Sequence, residues 1–189
     1  MMSSFIVVYD ACVLHPPSVC DLLLRLAATG MVRARWSDRI LDEVIGSIRR
    51  VHPEIDEVRL ARRRAAVRDA VAGAIVDDFG PIEAGLELPD PDDRHVLAAA
   101  IRCGAQAIIT ANLDDFPPDR LGPWNVEAIH PDDFVIHMLD LSEGTVVSVL
   151  QQQAGALRNP PMTVFEVLDS LERNGLVRSS ARLRGLLER

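Results

Sequence analysis

The 189-residue sequence has no lysine, so all twenty of its basic side chains are arginines. Cysteine is scarce as well. Cys12, Cys20 and Cys103 make an odd count without Cys-x-x-Cys spacing, which argues against a disulfide framework and against structural zinc, and fits a reducing cytoplasm. No apolar run is long. The N-terminal stretch from Phe5 to Tyr9 is too short for a signal peptide or a membrane span, so no membrane role is expected. Gly-x-Gly-x-x-Gly and P-loop signatures are absent, leaving dinucleotide or nucleoside-triphosphate binding with little support. A dehalogenase-type phosphatase needs a second aspartate two residues after the first, and Cys12 stands there after Asp10. Cys20 and Arg25 miss the spacing of a thiol-phosphatase loop. The five histidines show no metal-ligand spacing and read as structural or solvent-facing. There is no internal repeat and no low-complexity tract.

What remains is ample for a folded core. Hydrophobic residues make up 48% of the chain, enough for one domain of ordinary size plus an extension. The net charge of −8 normally counts against nucleic acid as a partner. The distribution matters more than the sum. Arg49, Arg50, Arg59, Arg62, Arg63, Arg64 and Arg68 crowd one segment, whereas acids dominate from Asp77 to Glu143. An arginine-rich flank beside an acidic centre suits a metal-dependent enzyme acting on a phosphate polymer. A solvated helix face, diluted by Glu54, Asp56 and Glu57, explains the arginines equally well.

Phe5 to Tyr9 is a continuous β-rich run, as expected of a strand buried on both faces of a parallel sheet, and it ends at Asp10. A helix is predicted over Ser18 to Ala28, then a short strand or loop over Val32 to Trp36. Ser37 caps a helix carrying Ile40, Leu41, Val44, Ile45 and Ile48 on one face. Residues 54 to 76 read as an arginine-rich helix. A central helix starts at Asp93, capped by Asp92 or Asp93 and ended by Gly104. Strands follow over Ala105 to Thr110 and Val126 to Ile129. Strands separated by helices imply right-handed crossovers and a three-layer α/β domain over residues 1–140. Residues 141–189 form a helical extension, with a capping box at Thr163–Glu166, a helix stop at Gly175 and a last helix over Ser180 to Arg189.

Three acidic groups gather near the carboxyl edge of this sheet: Asp10, the Asp90–Asp93 cluster, and Asp115 with Asn112. Alone, the Asp90–Asp93 stretch reads either as a well-capped helix start or as carboxylates that need a cation. Convergence of all three favours the cation. Carboxylates without histidine or cysteine suit Mg²⁺ or Mn²⁺, and phosphodiester hydrolysis is the reaction class that follows most directly.

Tyr9-Asp10-Ala11-Cys12-Val13-Leu14, Trp36 to Glu43, Leu88 to Ile101, and Thr110 to Phe116 occur in order. Together they resemble a PIN domain, the nuclease fold of VapC-type ribonuclease toxins, and the tail with Asn159-Pro160-Pro161 resembles the helical extension of one bacterial branch. The resemblance implies a three-layer α/β/α fold with a mostly parallel sheet and Mg²⁺- or Mn²⁺-dependent cleavage of RNA that leaves a 5′-phosphate. It also implies a toxin–antitoxin pair with a small antitoxin, and a homodimer. Carried over by position, Asp10, Glu43, Asp93 and Asp115 are catalytic, and Asp10, Asp93 and Asp115 hold metal. Asp90, Asp92 and Asn112 are auxiliary, and Arg62, Arg63 and Arg64 are candidates for RNA binding. Helical spacing alone leaves Glu43 as readily a surface glutamate. Cys12 stands where many members have serine, threonine or asparagine, so a hydrogen bond near the metal is expected to be missing. Asn112 stands where aspartate is common, lowering the site's charge. The rival reading is a catalytically weak PIN-like module that binds RNA or protein.

Overall fold

In chain order the elements of the computed structural model, which describes residues 5–188, begin with β1 (Ile6–Tyr9), α1 (Ala11–Leu14) and α2 (Pro17–Ala28). Then come β2 (Arg33–Arg35), α3 (Asp38–Val51), α4 (Glu57–Asp69) and α5 (Gly80–Glu83). A 3₁₀ turn at Pro91–Asp93 leads into α6 (Arg94–Cys103), followed by β3 (Ala107–Ile109), α7 (Pro118–Leu121) and β4 (Glu127–Ile129). The chain ends in α8 (Pro131–Leu141), α9 (Glu143–Ala156), α10 (Val164–Arg173) and α11 (Val177–Leu187).

The four strands form one all-parallel sheet in the order β2-β1-β3-β4, with Val8 opposite both Arg35 and Ile108. Val7, Val8, Tyr9, Ala107, Ile108 and Ile109 are all fully buried, which is why these runs lack polar alternation. Tyr9 faces the layer that contains α2 and α8. Its hydroxyl donates to the Leu23 carbonyl at 3.1 Å, its ring stacks on Trp36, and Phe134 meets it edge-on. The other layer holds α6, which packs against β1 and β3.

Most expected elements are present, and the differences have physical causes. The arginine-rich helix is shorter than residues 54 to 76, because Asp56 caps it from Arg59 N and the chain turns away beyond Ala70. Gly73 takes a left-handed φ of 70°, and residues 74–76 then hydrogen-bond to Trp36 beside β2. Tertiary pairing overrides local helix propensity there. The aspartate cap is also displaced. Asp90, rather than Asp92 or Asp93, accepts the Asp92 amide at 2.9 Å, α6 begins at Arg94, and Asp93 caps nothing. The last helix starts at Val177, earlier than Ser180, because Asp132 of α8 accepts the amides of Arg178 and Ser179. Its expected end at Arg189 lies outside the described residues.

The capping box of Thr163 and Glu166 is complete. Gly175 at φ 92°, with Leu176 N bonded to Leu171 O and Gly175 N to Glu172 O, closes α10 as the sequence predicts. Among the described residues, no helix is long and apolar enough to cross a membrane.

Candidate active site at the carboxyl edge of the sheet

The chain leaves β1 toward β2 on one side, and the later connections run to β3 and β4 on the other. The reversal falls between β1 and β3. A crevice opens at such a switch point, and here its walls are the residues just after Tyr9 and Ile109.

Asp10 is the fixed point of the site. Only 4% exposed, its carboxylate accepts Ala11 N at 2.6 Å, Thr110 Oγ1 at 2.8 Å and Cys12 Sγ at 3.1 Å. Thr110 reaches it across the β1–β3 boundary, and the Thr110 hydroxyl also accepts the Asn112 amide at 3.0 Å. The hydrogen bond expected to be missing at Cys12 is therefore made by sulfur. Burial first, and then the Asp10 charge, push the Cys12 thiol up to about 12. It stays protonated near neutral pH, able to donate and unfit as a nucleophile.

Asp93 stands opposite, half-buried at the start of α6. Burial raises its carboxyl, and the charges of Asp10, Asp115, Asp90 and Glu43 raise it further, to about 7. Acids from the end of β1, from α3, from the 3₁₀ turn and from the segment after β3 thus press on one carboxyl group. Asp115 is half-buried, in a 3₁₀ turn anchored by the buried Phe116. Asn112 and Asp92 are exposed, and no side-chain hydrogen bond ties either to the cluster. Asp90 is occupied with its cap.

Glu43 projects from α3 between its buried and exposed faces, with Oε1 2.7 Å from Nε2 of His95. His95 is fully buried, and neither ring nitrogen has a well-aligned hydrogen bond, so this short, bent contact is the one polar restraint on the ring among the described residues. The contact sets Glu43 beside an imidazole from α6, and the Glu43 charge is among those that raise Asp93. His95 and Thr110 are the residues that sequence reasoning left out of the site. The threonine was visible as the first residue of its motif, whereas nothing in the spacing of His95 relates it to α3. If His95 holds Glu43, His95→Ala and Glu43→Gln should each slow turnover, and the double variant should be no worse than Glu43→Gln alone. Additive losses in kcat would reduce His95 to a packing residue.

The three arginines assigned to RNA do not act together. Arg64 pairs with Asp42 and Asp38 at 2.8 and 2.9 Å, and Arg63 turns inward to the Leu14 and His15 carbonyls. Arg62 alone is exposed without an ion pair among the described residues.

As donors, the acids suit a hard cation. Every ligand is a carboxylate oxygen, and their mutual repulsion at Asp93 is relieved by positive charge. Among the described residues no three His, Cys, Asp or Glu side chains close into a ready-made cage. The larger concavities, of about 490 and 460 Å³, flank α2 and are lined by other residues.

The parallel sheet with aspartates converging beyond β1 and β3 places the molecule among the PIN-type nuclease folds. The PIN domain family profile matches residues 6–114, and the chain belongs to that family. A second profile, the VapC50 C-terminal domain, matches residues 131–185, making this a VapC-type PIN protein with a C-terminal extension. The chain is 47% identical over 79 residues to the protein of Mycobacterium tuberculosis (strain ATCC 25618 / H37Rv) named "Putative ribonuclease VapC50". That match covers 42% of this chain and 47% of the relative, so the chain spans about half of that relative's length. No solved structure matches.

Proposed function

We propose that the chain is a Mg²⁺- or Mn²⁺-dependent endoribonuclease and the toxin of a toxin–antitoxin pair. The observation that carries this reading is the pairing of a buried, triply hydrogen-bonded Asp10 with an Asp93 raised to about 7 by burial and then by four neighbouring acids, a charge distribution that calls for a divalent cation. Asp10, Asp93 and Asp115 would hold the ion. When bound, such a cation polarises a phosphoryl oxygen and acidifies a water.

The chain's own groups do the rest. Thr110 and Cys12 lock the Asp10 carboxylate, so little reorganisation remains when substrate arrives. Glu43, braced by His95, is positioned to accept a proton from the attacking water or to orient it. Asn112 and Asp92, exposed at the rim, are placed to meet the strand, and Asp90 keeps the approach to α6 in shape. Arg62 offers a free guanidinium to the RNA backbone. We take residues 1–140 as the nuclease unit and residues 141–189, joined to it through Ser142 between α8 and α9, as its extension. In this reading the working form is a cytoplasmic homodimer, held in check by a small antitoxin that covers the acids.

Purified chain should leave RNA intact in EDTA and cut it when Mg²⁺ or Mn²⁺ is added, producing 5′-phosphate ends. Equal cleavage in EDTA, or 2′,3′-cyclic ends, would overturn the reading.

A further inference from the structure

A smaller cavity, mostly apolar in its walls but met by three basic side chains, lies one short helix away from the acids. It has a volume of about 160 Å³ and is lined by His15, Pro17, Ile48, His52, Ile55 and Arg63. All three ionisable residues in that lining are basic, which is unexpected in a chain of net charge −8.

Arg63 explains why the cavity is unbalanced. Its neighbours in the same segment are matched by acids: Arg49 by Glu57, and Arg64 and Arg68 by Asp38. Arg63 instead donates through Nη2 to the His15 carbonyl at 2.6 Å and the Leu14 carbonyl at 3.3 Å. No carboxylate lies within ion-pair distance of it among the described residues, and burial pulls its pKa down. Carbonyl oxygens solvate a guanidinium without neutralising it, and a half-buried cation lacking a counter-charge is costly. The two carbonyls leave further N–H groups of the fork free. His15 is in a related position. Its Nε2 is buried without a hydrogen-bond partner, and burial, with the charges of Arg63 and His52, lowers its pKa, so the neutral ring keeps one N–H to offer. His52 completes the cavity. Its Nδ1 lies 3.1 Å from the exposed Glu54 carboxylate, and its Nε2 makes no hydrogen bond among the described residues.

We infer that the His15–His52–Arg63 cavity is a phosphoryl-binding subsite. A tetrahedral dianion supplies the missing counter-charge, accepts from the planar guanidinium in the fork geometry that arginine favours, and fits the volume. Its location agrees with a polynucleotide source. Asp10 precedes α1 and His15 follows it, so the backbones of these two residues are separated by roughly 7 Å along the helix at about 1.5 Å per residue. This source rests on the proposed nuclease function: a strand cut at the acids would seat a neighbouring backbone phosphate against Arg63.

The test uses the full-length chain in EDTA, so that no cleavage intervenes. Inorganic phosphate is titrated while the histidine ring resonances are followed by NMR. Saturable shifts at His15 and His52 are expected, retained in Arg63→Lys and lost in Arg63→Gln, with thermal melts checking that both variants fold. A single-stranded RNA bearing phosphorothioate linkages is then added to the phosphate-loaded protein. If it displaces phosphate, and Arg63→Gln weakens its binding about tenfold while lowering the salt slope by roughly 0.7, the source is the RNA backbone. Saturation by phosphate without displacement by RNA keeps the subsite and assigns it to free phosphate. Rings that do not respond to phosphate overturn the proposal, and metal-dependent RNA cleavage by the same preparation would leave the nuclease reading standing. Phosphate binding in a preparation that never cleaves RNA would do the reverse.

Discussion

Asp93→Asn should reduce metal-dependent RNA cleavage by about a thousandfold or more while making the metal-free protein more stable at pH 8. The loss follows from removing a charged ligand at the point where four other acids converge. The gain follows from linkage. In the folded chain the Asp93 carboxyl titrates near 7 rather than its ordinary 3.8, so between those values the native state keeps a proton that the unfolded chain has released. Stability contributed by that proton is present at acid pH and drains away as pH rises from about 4 to about 7. Asparagine cannot ionise and escapes the penalty. Because Asp93 is only half-buried, solvent screens the effect. Denaturant melts in EDTA at pH 5 and pH 8 provide the check. Wild type should lose more stability than the variant between the two, and Mn²⁺ should restore it in wild type alone. A variant with wild-type turnover, or one less stable than wild type at pH 8, would remove Asp93 from the centre of the site.

The second large effect is structural. Asp132, 6% exposed in the first turn of α8, accepts Ser179 Oγ at 2.6 Å, Ser179 N at 2.9 Å and Arg178 N at 2.9 Å. It caps α11 from a helix more than forty residues earlier, joining the extension to the α/β body. Asp132→Ala strands two amides of the first helical turn and a buried hydroxyl. The expected cost is about 2–4 kcal/mol, more than an ordinary cap because both Ser179 donors are removed from water. Hydrogen exchange should accelerate first at the α10–α11 amides while those of β1 and β3 keep their protection. The Asp133–Arg178 pair beside it is exposed and offers little compensation. A variant within about 0.5 kcal/mol of wild type would show that the extension is held by its apolar contacts alone.

The sheet and its acids were legible because their signals are local. A fully buried parallel strand needs an unbroken apolar run, and Phe5–Tyr9 and Ala107–Ile109 are such runs. Strand ends place Asp10 and Thr110 without knowledge of anything else. Glu43 was visible only through resemblance, since its brace, His95, lies on a different helix and the pairing requires α3 and α6 to be set against one another. The aspartate run was read one step out of register. Asp90, Asp92 and Asp93 are equivalent as capping chemistry, and Pro91 decides among them by opening a 3₁₀ turn that gives the cap to Asp90. The arginine run is dispersed for a similar reason. A charge run reads as one surface, but helical rotation turns Arg62 to solvent, Arg64 to the acids of α3 and Arg63 toward α1.

The strand order has a consequence for synthesis. β1 emerges from the ribosome first, and β2 can pair with it soon afterwards, yet its other neighbour arrives only with residues 107–109. The hydroxyl that locks Asp10 lies one hundred residues downstream, and the turn that carries Asp115 follows it. Pairing over such a separation is slow compared with helix formation. A nascent chain therefore carries its first acids long before it carries their arrangement, which is complete only once β3 and the turn after it have been made.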